Sequence, residues 1–91
     1  MKTILLDGRY MNTKAATHTY LAERLHAPEY YGRNLDALHD ILTDPCEPTL
    51  VVLYRKEHML QSLGDYGEVL LEVFRDSAAE NPSLTFREAE D

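Results

Sequence analysis

Ala27-Pro28-Glu29-Tyr30-Tyr31-Gly32-Arg33-Asn34-Leu35-Asp36-Ala37-Leu38-His39-Asp40-Ile41-Leu42-Thr43-Asp44 is the stretch on which this chain turns. Two adjacent tyrosines and a glycine precede a residue able to cap a helix, Asn34. The following Leu35-to-Thr43 run has helical periodicity and stops because Pro45 pushes Asp44 out of the helical region. At about 100° per residue, Leu35, Leu38, Ile41 and Leu42 fall within an arc of roughly 120°, the core side. Asp36 and Asp40 fall together on the other side, with His39 at the stripe's edge. A like-charge pair four residues apart costs an isolated helix about 0.2–0.5 kcal/mol. Asp36 is favoured by the helix dipole, whereas Asp40 and Asp44 lie towards its wrong end. A chain tuned only for stability has little reason to carry this arrangement. Carboxylates in such ladders serve either a solvated face or a basic partner, and the pattern leaves both open.

Working outward, the flanking segments alternate between strand and helix signals. Lys2 to Asp7 is apolar at Ile4, Leu5 and Leu6 and closes at Gly8, which predicts a strand and a turn. Asn12 or Thr13 can cap a helix running to about Leu25, with Tyr20, Leu21 and Leu25 inward. Thr49 to Tyr54 is a continuous apolar, β-branched run, which predicts a strand buried on both faces. Arg55 to Leu63 predicts a short helix ending at Gly64. Asp65 can cap a further helix with Tyr66, Val69, Leu70, Val73 and Phe74 as its apolar stripe. In that helix Glu68, Glu72 and Asp76 form a second ladder of carboxylates, and Asp76 borders the apolar stripe. Asn81-Pro82 ends the helix, Ser83 to Arg87 predicts a last strand, and Glu88 to Asp91 an acidic, frayed tail.

Three strands separated by helical segments require parallel pairing, because each return needs a crossover. Right-handed crossovers then give two layers if the sheet grows in one direction, or three if it reverses. The whole is one α/β domain spanning residues 1–91.

Composition narrows the function. With 91 residues, 44% hydrophobic, 27% charged and a net charge of −7, this is an ordinary soluble globular composition. No apolar run approaches the ~18 residues of a membrane span, and the short apolar start does not make a signal peptide. The acidic balance argues against nucleic-acid binding, which needs clustered Lys and Arg. A single cysteine, Cys46, excludes an internal disulfide and fits a cytoplasmic location. Read as an enzyme, Asp36, His39 and Asp40 would form an acid/base cluster. Yet the four histidines, at 18, 26, 39 and 58, share no metal-ligand spacing and read as single surface residues, and no phosphate-cradling glycine loop exists. Neither catalysis, a cofactor nor a metal is expected.

The run Tyr30-Tyr31-Gly32-Arg33-Asn34-Leu35-Asp36-Ala37-Leu38, followed by Asp40, resembles the barstar family of intracellular ribonuclease inhibitors. Val73-Phe74-Arg75-Asp76 is similar to that family's second helical segment, where a glutamate more often takes the last place. The resemblance covers essentially the whole chain. It implies a two-layer α/β fold, a three-stranded parallel sheet with its helices packed on one side. It also implies one-to-one blocking of a secreted basic ribonuclease by a protein that is monomeric when free. Carried over by position, Tyr30, Asp36, Asp40 and Asp76 would bind the partner, Asp40 as the central plug. Gly32 and Asn34 would shape the loop and cap the helix, and Tyr31 would belong to the core.

Departures from the family pattern bear on the partner. His39 stands where an aromatic, commonly tryptophan, is usual, and an imidazole there would make binding pH-sensitive. Arg33 adds a positive charge, the segment from Asp44 to Pro48 lacks a family aromatic, and Asp76 is one methylene short. An immunity or interaction protein for a non-ribonuclease toxin is the alternative on the same fold.

Overall fold

The computed structural model describes residues 1–44 and 47–89. Cys46, Pro45 and the last two residues of the expected acidic tail lie outside that description. In chain order the elements are β1 (Lys2–Asp7), a 3-10 turn (Gly8–Tyr10), α1 (Lys14–Arg24), α2 (Leu35–Thr43), β2 (Thr49–Tyr54), α3 (Lys56–Leu63), α4 (Asp65–Glu80) and β3 (Leu84–Glu88). The strands pair in the order β1-β2-β3, all parallel. The sheet therefore grows in one direction, and both crossovers place their helices over the same face. Two layers fit the extents of 32 × 30 × 19 Å, whose short axis has room for one sheet and one helical layer.

The register explains which side chains make the core. Ile4, Val51 and Phe86 lie abreast, as do Leu6, Leu53 and Glu88. Leu38 and Leu42 of α2, Leu21 of α1, Met59 of α3 and Leu70, Leu71 and Phe74 of α4 close over them. Phe74 stacks on Phe86 with ring centroids 4.9 Å apart. Thr3, Leu5, Leu50, Val52 and Tyr54 point to the other face, where Leu5 is 45% exposed. The expectation that β2 is buried on both faces holds on the back only at Val52, with Leu50 half-buried and Tyr54 exposed. An unreversed sheet leaves its back uncovered, and Val52 is buried there because the side chains of two flanking strands surround a central position.

Other differences are local. Thr13, not Asn12, caps α1, its Oγ1 accepting from Ala16 N–H at 3.1 Å. Gly64 rather than Asp65 is the N-cap of α4, and its φ of 58° is a conformation that glycine adopts without penalty. Val69 is 43% exposed, and the buried line of α4 runs instead through Gly67, Leu70, Leu71, Phe74 and Ser77. Glu88 does not fray: it ends β3, where Arg75 and Lys56 grip its carboxylate at 2.7 and 2.9 Å. Those contacts hold its pKa at about 2. The free edge of β1 is occupied by α1 side chains, with Asp7 N–H donating to the Tyr20 hydroxyl and Arg24 Nε–H to the Leu5 carbonyl.

Candidate functional site

The loop between α1 and α2 is built by three backbone devices. His26, at a φ of 53°, follows the end of α1, where Ala27 N–H reaches the Ala22 carbonyl and His26 N–H the Glu23 carbonyl. This pattern terminates helices and usually recruits glycine. Tyr31 N–H then donates to the Pro28 carbonyl, turning the chain back. Arg33 takes the second left-handed position, at a φ of 53°, and its guanidinium donates to Thr19 Oγ1. The turn conformation therefore sits at Arg33, while Gly32 has an ordinary backbone. A Cβ at Gly32 would crowd Asn34 Nδ2 at 3.1 Å. Asn34 caps α2, its Oδ1 accepting from Ala37 N–H at 2.7 Å while its amide donates to the Gly32 carbonyl.

Tyr31 anchors the loop from inside. Its hydroxyl lies 2.7 Å from His18 Nδ1, and His18 Nε2 lies 2.6 Å from the Tyr66 hydroxyl. Lys14 Nζ caps the Tyr66 ring at 4.7 Å from its centroid. Burial, aided by Arg33, holds His18 below its ordinary value, and burial pushes the Tyr31 hydroxyl up to about 12. The imidazole is therefore neutral, donating to one hydroxyl and accepting from the other. This node joins α1, the loop and α4, and it turns the neighbouring Tyr30 outward, where it is 80% exposed. Replacing His18 with phenylalanine leaves the buried Tyr31 hydroxyl without its partner, an expected loss of about 2–3 kcal/mol.

The pH dependence of that node has a definite sign. Below the ordinary histidine value of 6.5, the unfolded chain takes up a proton that native His18 refuses, so stability is lost as pH falls. Urea titrations at a series of pH values should show the wild type losing ground to the His18→Phe variant towards acid.

The acidic side chains line two concavities beside α2. Asp36 and His39 of α2 face Val69, Val73, Asp76, Ala79 and Glu80 of α4 across a groove of 570 Å³ that also includes Leu35. Asp40 and Asp44 line a second, of 240 Å³, with Pro28, Tyr30, Tyr31 and Gly32. The structure thus brings Asp36, His39 and Asp76 together, and places Asp40 beside Tyr30. Gly32 and Asn34 lie in the segment that joins Tyr30 to α2. Val69 and Val73 form an apolar part of the first groove, which is why Val69 is not in the core.

Two members were missed by sequence reasoning. Glu80 continues the ladder of Glu68, Glu72 and Asp76 by one more i, i+4 step, so its signal was present. It meets His39 Nε2 across the groove at 2.5 Å. That contact raises the His39 pKa, with Asp40 and Asp76 adding to it. His18 is buried rather than a surface histidine: it stands three residues before Leu21 on the inward side of α1, a spacing that marks a core position without revealing its tyrosine partners.

Ion pairs hold three of the described carboxylates, one of them Glu80 at this surface. Among the described residues, Asp7 pairs with Arg9 and Arg55, Glu88 with Lys56 and Arg75, and Glu80 with His39. Asp36, Asp40 and Asp76 enter none of these pairs. No group of three or more His, Cys, Asp or Glu among the described residues is placed to hold a metal ion. Nor is any described helix long and apolar enough to cross a membrane.

The family described as Barstar (barnase inhibitor) matches residues 1–88. The chain belongs to the barstar family. A curated relative in Bacillus subtilis (strain 168), named "Putative ribonuclease inhibitor YrdF", is 40% identical over 81 residues, covering 88% of this chain and 89% of the relative. The three-stranded parallel sheet with four helices agrees with the barstar-like α/β fold that the sequence resemblance implied. The family is one of inhibitors. Within that frame Tyr30, Asp36 and Asp40 occupy the loop and α2, and Asp76 the α4 segment, that carry the sequence likeness to the family.

Proposed function

We propose that this protein is an intracellular inhibitor of a secreted basic ribonuclease, acting in the cytoplasm as a monomer that forms a one-to-one complex. The loop carrying Tyr30 and the exposed side of α2 enter the nuclease's active-site cleft, with Asp36, His39, Asp40 and Asp76 facing its cationic groups. The observation that carries this reading is convergence: Asp36 and Asp76 face each other across one groove, while Asp40 stands beside the outward Tyr30. Among the described residues no Arg or Lys lines either concavity, and Asp36, Asp40 and Asp76 enter no ion pair. Unpaired carboxylates on a helix are pre-organised acceptors, so little ordering entropy is lost when a basic surface arrives. Their field also speeds encounter, an effect that weakens with added salt.

The test is a titration of nuclease activity, using barnase and any small basic nuclease encoded beside this gene. Inhibition is expected to saturate near one equivalent, with an association rate that falls as salt rises. Activity untouched by excess protein in both cases would overturn the proposal. The replacement of the usual family aromatic by His39, itself engaged with Glu80, favours a second reading. There the partner is a toxin that is not a ribonuclease, and the protein would protect cells without inhibiting either nuclease.

A further inference from the structure

We infer that His39 and Glu80 form a proton-operated clasp across the groove between α2 and α4, one that weakens the hold on a cationic partner when it closes. This regulation rests on the inhibitor reading above and adds a dependence on pH to it. The geometry supplies the parts. His39 Nε2 and Glu80 Oε2 are in hydrogen-bond contact, although the residues stand 41 positions apart on different helices. Both line the groove that holds Asp36 and Asp76. The charged groups facing the imidazole are therefore Asp36 and Asp40 from its own helix and Asp76 and Glu80 from α4. Among the described residues, no cation other than His39 itself lines that groove.

Protonation changes what a partner meets. A neutral imidazole donates one hydrogen bond to Glu80 and leaves the carboxylates of Asp36, Asp76 and Glu80 at full charge. A protonated imidazole places a positive charge among them and binds Glu80 as an ion pair. An incoming guanidinium or ammonium group then meets a like charge and competes with His39 for Glu80. Conversely, a bound cation disfavours the imidazolium, so complex formation releases a proton. Affinity therefore rises with pH through the titration of His39 and levels off above it. Because Glu80, with Asp40 and Asp76, raises the His39 pKa, this window lies above the ordinary histidine value of 6.5 rather than in the acid range. One released proton limits the slope to about tenfold per pH unit.

Two measurements on the full chain test the clasp. In the first, the affinity for barnase is measured at constant ionic strength across the neutral range for wild type and the His39→Gln variant. Wild type is expected to bind up to about tenfold more weakly than the variant at the acid end, and the two should converge at the alkaline end. Parallel profiles with intact binding would overturn the clasp. In the second, the His39 imidazole is titrated by NMR in the free protein. Glu80→Gln is expected to move that titration to lower pH, and an unmoved titration would also overturn it. Barnase left unbound at every pH would count only against barnase as the partner, and the NMR titration then decides the clasp alone.

Discussion

An Asp40→Ala variant is expected to inhibit on the order of a hundredfold more weakly than the wild type while being slightly more stable. The loss follows from the position of the carboxylate. Asp40 is exposed on α2 beside Tyr30 and Asp44, enters no ion pair among the described residues, and is held by a helix whose cap and core contacts do not depend on it. Truncating a charge at the centre of an interface removes its pairing and leaves the partner's cations desolvated without a counter-charge. Such changes cost about 2–4 kcal/mol. The gain in stability has separate causes. Alanine is the better helix former, the i, i+4 repulsion with Asp36 disappears, and a negative charge leaves the carboxyl half of the helix. Each is worth a few tenths of a kcal/mol. Inhibition constants and urea midpoints for Asp40→Ala and Glu68→Ala decide the matter. Glu68 lies on the side of α4 where Arg75 is near, so its removal should alter affinity by less than about threefold. Equal losses in the two variants would leave only a diffuse field and no central plug.

The largest loss of stability from a single methyl group is expected at Gly8. This residue is buried where the chain leaves β1, and a Cβ there would stand 2.1 Å from the Arg55 carbonyl oxygen and 3.3 Å from Met59 Cβ. The obstruction is backbone, not the end of a flexible side chain. Either the 3-10 turn or the start of α3 must move. Arg55 is already in the left-handed region at a φ of 55°, so the junction has little freedom to yield. Gly8→Ala should cost about 3 kcal/mol, or roughly 15 °C in melting temperature for a domain of this size. Gly64→Ala is the matched control. It has open space around its Cβ and only an unfavourable φ of 58°, for an expected cost of about 1 kcal/mol. Thermal melts of the two variants should rank in that order, and the reverse ranking would show that the approach of Gly8 to Arg55 is not tight.

The elements that were legible from sequence were those whose signals are local. Asn34 ahead of Leu35-Asp36-Ala37-Leu38 marked the start of α2, and the extended backbone of Asp44 agrees with the stop expected ahead of Pro45. The β-branched run at Thr49–Tyr54 marked β2 correctly as a strand, although on its back face only Val52 is fully buried. Periodicity in α4 was real but mis-phased. Val69 and Phe74 look alike to a hydropathy count, and only the groove beside α2 makes one a lip and the other a core residue. Glu88 looked like the beginning of a loose tail because its two cations, Lys56 and Arg75, come from α3 and α4.

Sequence by itself determined the family, the strand and helix content, and the division between an inward apolar side and an outward acidic side of α2. These follow from nearest-neighbour geometry, since a helix repeats every 3.6 residues whatever it packs against. Tertiary structure decided the strand order, and with it the single covered face. It also decided that Tyr31 is pinned by His18 and Tyr66 so that Tyr30 faces solvent, and that Asp76 joins Asp36 across a groove. Most consequentially, it brought Glu80 onto His39. Those contacts join residues from 13 to 48 positions apart. No local periodicity encodes such a meeting, because it depends on how helices settle against one another once the sheet has chosen its order.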